Sequence, residues 1–416
     1  MVTAKEFKAK YRYETETDFS KAKDVLEIIG RVRAQGDQAL FEYAETFDGV
    51  SLTQLEVPKD SLKDAYDRLD ESLREALHDA KKNIETYQKS IMLTQMPAGE
   101  LYQKVHPLSR IGIYVPGGKA SYPSTVLMTA VLANVAGVKE IVVVTPPQKD
   151  GINQATLAAC HLTGVDHVYQ VGGAQAIAAL AYGTKTIGRV DKIVGPGNQY
   201  VALAKKLVYG DVGIDSIAGP SEIVIVIDET SKKEWVALDI LAQAEHDEMA
   251  RTFLVSDHED ILQSVEKEIG IAVRTQSRTA VIEESLAKNH YAILTSGKTE
   301  NIEIVNLIAG EHVSIQTKDA ADYVDAVTTA GAIFIGEYTP EAIGDYSAGP
   351  SHVLPTGGNA RFASGLSVND FLRTNSVLHV SKGTFMRLAP TALAIAKEES
   401  LQAHHDSVAV RTEVER

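Results

Sequence analysis

Apolar residues fall into two rhythms along this chain. Between Arg110 and Glu222, short β-branched runs alternate with longer apolar stretches, and glycine turns separate them. Ile111–Val115 leads into Pro116-Gly117-Gly118, and an apolar helical pattern over Ser124–Ala136 stops at Gly137. Ile141–Val144 ends at Pro146-Pro147. Val168–Val171 leads into Gly172-Gly173 and a helix over Ala174–Tyr182, and Lys192–Val194 leads into Gly195-Pro196-Gly197 and a helix over Asn198–Tyr209. The strand starts recur about every 25–30 residues, the period of strand–helix–strand units that build a parallel sheet. Gly164, Gly183 and Gly210 stand where helices end on a left-handed residue.

The flanking regions have a different texture. Residues 1 to about 105 read as helices with charged faces, near Ser20–Gln35, Asp37–Thr46 and Ser61–Gln88, with Gly36 and Gly49 marking ends. Beyond Glu222, strands are expected at Ile223–Ile227, Thr252–Val255, Tyr291–Leu294 and Ala332–Ile335. Ser231-Lys232-Lys233-Glu234 reads as a capping box opening a helix that runs to about Glu248. Residues 343–366 form a Gly/Ser/Pro-rich loop region, and 367–416 a small helical tail.

Composition narrows the possibilities. At 416 residues the chain is too long for one ordinary core. A net charge of −15 argues against nucleic acid as a partner. A single cysteine, Cys160, excludes an internal disulfide and a thiolate zinc site. It lies in an apolar helical stretch beside His161, and helix neighbours diverge by about 100°, so it reads as core. No apolar run approaches the roughly 18–20 residues of a membrane span. Met1–Phe19 is charged and lacks a signal peptide's apolar stretch. The expected location is therefore cytoplasmic, away from membranes.

Candidate chemistry lies at the turns and at scattered polar residues. Each glycine turn follows a strand and precedes a helix, where parallel sheets bind ligands and helix N-termini favour phosphate. None matches G-x-G-x-x-G, since Tyr200 stands where a third glycine would fall. Dinucleotide binding and ligand-free tight turns both remain open. Gln243 and His246 are adjacent on one helix, and His246 continues a stripe of Trp235, Leu238 and Ala242. Such a histidine is either a hydrogen-bonded core residue or half of an incomplete metal site. Glu311-His312 follows Gly310 at a helix-to-strand break. Asp345 and His352 lie in the glycine-rich region, and His404-His405 follows Glu398-Glu399 in the tail. Solvated loop and helix-end roles are the plainer readings of these. Metal-assisted hydrolysis and a two-domain ligand-binding protein also fit such residue types.

Six motifs together are more specific: Ile111-Gly112-Ile113-Tyr114-Val115-Pro116-Gly117-Gly118, Gly195-Pro196-Gly197-Asn198, Ala218-Gly219-Pro220-Ser221-Glu222, Gln243-Ala244-Glu245-His246-Asp247, Glu311-His312 and His352-Val353-Leu354-Pro355-Thr356. In order and spacing, over nearly the whole chain, they resemble the histidinol dehydrogenase family. The resemblance implies oxidation of L-histidinol to L-histidine, the last step of histidine biosynthesis, through an enzyme-held aldehyde. It implies two NAD per turnover and one zinc per active site. It places Gln243, His246, Asp345 and His404 as zinc ligands, His312 as general base with an ordinary imidazole pKa, and Glu311 as the activator of water. Ser221, His352 and Glu399 join the ligands and His312 as substrate contacts, and Tyr114, Gln175 and Asn198 contact NAD. His405 beside His404 leaves a ligand exchange between them open. The implied fold class is α/β, with two Rossmann-like parallel-sheet domains, one inserted in the other. Residues 1–19 would form an N-terminal segment, 20–110 and 223–366 a discontinuous domain, and 111–222 the inserted NAD-binding domain. Residues 367–416 would form an exchanged tail of a homodimer, so that Glu399 and His404 come from the other subunit.

Overall fold

The computed structural model describes residues 1–12, 19–117, 122–217 and 219–413, so Gly118 and Ala218 of the motifs lie outside the described residues. The chain divides into two compact units. One comprises Met1–Met92 with Leu108–Phe371, and the other Leu93–Pro107 with Leu372–Arg416.

The larger unit holds two parallel sheets. The five-stranded sheet runs in the order His167–Gln170, Glu140–Thr145, Arg110–Tyr114, Lys192–Val194, Gly213–Ile214. The six-stranded sheet runs Val2–Thr3, His290–Leu294, Arg251–Ser256, Glu222–Ile227, His312–Gln316, Ala332–Ile335. If the strands of each sheet are counted along the chain from Arg110 and from Glu222, both have the Rossmann order 3-2-1-4-5. The second sheet adds Val2–Thr3 at its edge, paired in parallel with Ile293 and Leu294. Helices cover both faces of such sheets, so the strands carry continuous apolar runs without alternation. Glu222–Ile227 and Arg251–Ser256 are buried at every position.

The expected partition joined 20–110 to 223–366. Helices Ala22–Gln35 and Asp37–Tyr43 bury Val25, Ile28, Val32 and Leu40 in one cluster with Ile177, Leu180 and Val201 of the five-stranded half. The long helix Glu71–Ile91 reaches the other half, where the Asn83 and Gln88 amides donate to the carbonyls of Ser347 and Gly349. Three local expectations need correction. The stretch 61–88 is two helices, broken where Asp70 accepts from the Ser72 N–H. Ser231 forms no capping box, because its hydroxyl donates to the Gln316 carbonyl of the neighbouring strand and the helix begins at Lys233. Finally, neither 93–107 nor the tail is purely helical. Leu101–Pro107 and Leu372–Leu378 pair antiparallel, and helices Lys382–Glu398 and Gln402–Thr412 follow in that smaller unit.

One buried ion pair fixes the third glycine turn. The side chains of Lys205 and Asp215 are each 3% exposed and bond to one another. Lys205 Nζ donates to the Gly195 carbonyl at 3.1 Å, and Asp215 Oδ2 accepts from the Gly195 N–H at 2.7 Å. Gly195 has φ +107°, and a Cβ there would lie 2.2 Å from the Tyr114 carbonyl oxygen, so only glycine fits. Breaking this pair from one side strands a buried charge. Lys205→Met is expected to lower unfolding free energy by about 3–5 kcal/mol in urea titrations followed by circular dichroism. Lys63→Met, at an exposed i,i+4 pair with Asp67, should leave the transition where it is.

Candidate active site

Polar side chains buried in the six-stranded half converge at the starts of two adjacent strands. Glu222 opens one and His312 opens its parallel neighbour, with His312 in register with Ile223. The helix Lys233–Ala244 runs back across the sheet and brings Gln243 and, just past its end, His246 to the same edge. The helix Glu341–Tyr346 supplies Glu341 and Asp345, one turn apart and both buried.

Glu222 organises the group. Its carboxylate is fully buried, pairs with Arg251 Nη1 at 3.0 Å and accepts from the Gly357 N–H at 3.1 Å. Its own N–H donates to Glu311 Oε2 at 3.0 Å. Its carbonyl lies 3.1 Å from His312 Nδ1. With its nitrogen turned towards them, the Gln243 amide can donate to Glu341 Oε2 (3.1 Å) and to the Glu222 carbonyl (3.2 Å), and His312 Nδ1 lies 3.0 Å away. His312 Nε2 is buried without a hydrogen-bond partner, 3.7 Å from Asp345 Oδ1.

The electrostatics follow from burial. Desolvation pushes the pKa values of Glu311 and Glu341 well above the usual carboxylate range. Burial alone would lower the His312 pKa, but Glu341, Glu311 and Asp345 outweigh it and raise it. The ordinary imidazole pKa expected for His312 is therefore not what this arrangement gives. Three carboxylates around one imidazole leave the cluster short of positive charge. His246, Glu341 and Asp345 can each offer a ligand atom within 4.8 Å of the others, with His246 the exposed member. Imidazole and carboxylate donors suit a borderline divalent ion such as zinc.

The remaining expected residues divide by place. Ser221 immediately precedes the Glu222 strand, and its carbonyl accepts from the Arg251 N–H. His352 Nδ1 lies 3.1 Å from the Asp345 carbonyl, and its Nε2 lies 3.4 Å from Thr125 Oγ1 of the five-stranded half. Tyr114, Gln175 and Asn198 all stand at the C-terminal edge of the five-stranded sheet. The Tyr114 hydroxyl accepts from the Gly173 N–H at 3.1 Å, and Asn198 caps its helix through the Tyr200 and Val201 N–H groups. Glu399 and His404 belong to the smaller unit, at the end of one helix and on the next, both exposed. Sequence reasoning missed Glu341. Its signal was the i,i+4 spacing to Asp345 after Pro340, at a helix start just before the Gly/Ser/Pro-rich stretch 343–366.

The family model for histidinol dehydrogenase matches residues 11–412. The chain belongs to the histidinol dehydrogenase family. Among its relatives, histidinol dehydrogenase of Staphylococcus epidermidis is 52% identical over 413 residues, covering 99% of this chain and 100% of that protein. The Staphylococcus aureus enzyme is 50% identical over 414 residues, 99% of each chain. The crystal structure of histidinol dehydrogenase from Elizabethkingia anophelis matches with a TM-score of 0.94 and 34% identity, covering 99% of this chain and 96% of that one. Membership gives the α/β architecture and an oxidoreductase class. No described helix is long and apolar enough to cross a membrane.

Asp239 lies at the margin of this acidic cluster and accepts from the Gln316 amide at 2.7 Å. Burial raises its pKa from the ordinary 3.8 to about 6. A raised folded-state pKa in an acid means a penalty that is absent below the unfolded pKa and complete above the folded one. The native state should therefore lose up to about 3 kcal/mol as pH rises from about 4 to about 6. Asp239→Asn should raise the melting temperature at pH 7 and leave it unchanged at pH 4, as scanning calorimetry at the two pH values will show.

Proposed function

We propose that this protein oxidises L-histidinol to L-histidine in two NAD-dependent steps, the last step of histidine biosynthesis, with the intermediate histidinaldehyde held in place. The observation that carries the reading is the buried Glu311–His312 pair beside His246, Glu341 and Asp345 in a chain of this family. NAD, when bound, accepts one hydride in each oxidation, and Tyr114, Gln175 and Asn198 stand at the sheet edge suited to hold it. Gln243, His246 and Asp345, with His404 of the partner subunit, would hold zinc, which would supply a Lewis acid for the substrate's nitrogens. Glu341 joins that donor set on its proximity.

The chain's own groups then act on protons. His312 takes the hydroxyl proton as the first hydride leaves the carbinol carbon. A cation held between Asp345 and Glu341 would offset part of the negative field that raises the His312 pKa and so favour the free base. Glu311 takes a proton from water as the water oxygen bonds to the aldehyde carbon, and His312 returns its proton to the aldehyde oxygen, giving a gem-diol. Loss of the second hydride, with the proton again passing to His312, leaves the carboxylate. Ser221 and His352 contact the substrate. In the same reading the protein is a cytoplasmic homodimer, in which Glu399 and His404 of each tail serve the partner subunit's site.

Purified enzyme with zinc and L-histidinol should form two NADH per substrate consumed, and turnover without nicotinamide would sink the reading. His312→Ala should lower kcat by about 10²–10⁴-fold while keeping substrate affinity largely intact in calorimetry. Glu341→Gln should weaken zinc retention by about 10–100-fold in competition with a chromogenic chelator, read as bound metal and not as activity.

A further inference from the structure

Dinucleotide-binding sheets of strand order 3-2-1-4-5 commonly place a carboxylate beyond the end of the second strand, where it accepts hydrogen bonds from the hydroxyls of the adenosine ribose. The second strand here is Glu140–Thr145. Pro146, Pro147, Gln148 and Lys149 follow it, and the first acid, Asp150, is exposed. The strand's own sequence therefore brings no buried carboxylate to that position.

Asp48 reaches the position from another layer. It ends a π-helical turn, Ala44–Asp48, on the N-terminal helices that pack against this sheet. Such turns are rare and concentrate at functional sites. Asp48 is followed by Gly49, whose φ is +66° and whose Cβ position lies 3.7 Å from Lys149 Cε, directly past the second strand. On the other side its charge bears on the Tyr114 hydroxyl, at the end of the first strand. Gly172 closes the same edge, since a Cβ there would come within 2.5 Å of Pro146 Cγ.

Asp48 has no donor of its own. Its Oδ2 is the one carboxylate oxygen, among the described residues, that is buried without a hydrogen-bond partner. Desolvation raises its pKa to about 6, with no neighbour to offset the cost. The residue as a whole is of intermediate exposure. Nearby carboxylates of the same half are satisfied: Asp37 by Thr186, Asp215 by Lys205 and Gly195.

We propose that Asp48 accepts the adenosine-ribose hydroxyls of the nicotinamide cofactor and excludes a 2′-phosphate. This rests on the NAD-dependent reading above and names the residue that selects NAD over NADP. A vicinal diol supplies two O–H donors to a carboxylate left without one. A 2′-phosphate removes one donor and sets negative charge against negative charge.

The test uses the full-length protein and two probes, ADP-ribose and 2′-phospho-ADP-ribose, with affinities from calorimetry at pH 8. Wild type should prefer ADP-ribose strongly. Asp48→Asn should bind ADP-ribose about 10- to 100-fold more weakly, and its preference over the 2′-phosphate form should shrink towards parity. Removing an uncompensated buried charge should also raise the melting temperature of the variant at pH 8. Weaker binding with a higher melting temperature separates a ligand-binding role from a structural one. A lower melting temperature accompanying weaker binding overturns the proposal. Unchanged affinities for both probes overturn it while leaving NAD use intact. Wild-type protein that binds neither NAD nor ADP-ribose overturns NAD use and this assignment together.

Discussion

A fully buried carboxylate must find donors, and at Glu222 the search for donors arranges the site. The side chain is held by Arg251 and the Gly357 N–H, which ties the second strand of the sheet and the 343–366 loop to the strand opening at Glu222. With the side chain locked, the backbone of the same residue is fixed. Its N–H holds Glu311, and its carbonyl faces both His312 and Gln243. Groups from four separate segments thus take their positions from one residue. Arg251 itself is sandwiched near the Tyr11 and Phe253 rings, so the apolar core restrains the ion pair.

The second constraint is charge. Glu311, Glu341 and Asp345 crowd one buried imidazole, and burial and mutual repulsion favour protons on Glu311, on Glu341 and on the imidazole. Folding alone gains little from such a cluster, since buried charges are costly unless fully paired. Its retention makes sense as a place for a cation and for proton transfer.

The two sheets share a strand order but use opposite edges. The five-stranded sheet presents its glycine turns at the strands' C-terminal ends, the edge that general rules assign to ligands. The acidic cluster instead gathers where the strands of the six-stranded sheet begin, at Glu222 and His312. His352 of the acidic site lies beside Thr125, which follows the first strand of the other sheet, so the N-terminal edge of one half meets the C-terminal edge of the other. An edge facing a second domain can be as well enclosed as a switch point.

Local signals carried the alternation of strand and helix. Runs such as Ile223–Ile227 and Lys192–Val194 have one solution when buried on both faces, and glycines such as Gly195 and Gly183 punctuate them, because φ/ψ preference and the hydrophobic period act within a few residues. Family resemblance added the roles of Gln243, His246, Glu311, His312 and Asp345, which periodicity left among several readings. The sequence by itself therefore determined the α/β class, most strand positions and the residues worth watching. Only the tertiary structure decided what burial does to them. Glu341 became a member of the cluster when its short helix packed beside His312. Ser231 gave its hydroxyl to Gln316 and not to its own helix. Asp48 arrived beyond a strand almost 100 positions away along the chain. Each outcome depends on which distant backbone lies within about 3 Å, and hydrogen-bond partners at that range are set by packing and not by spacing along the sequence.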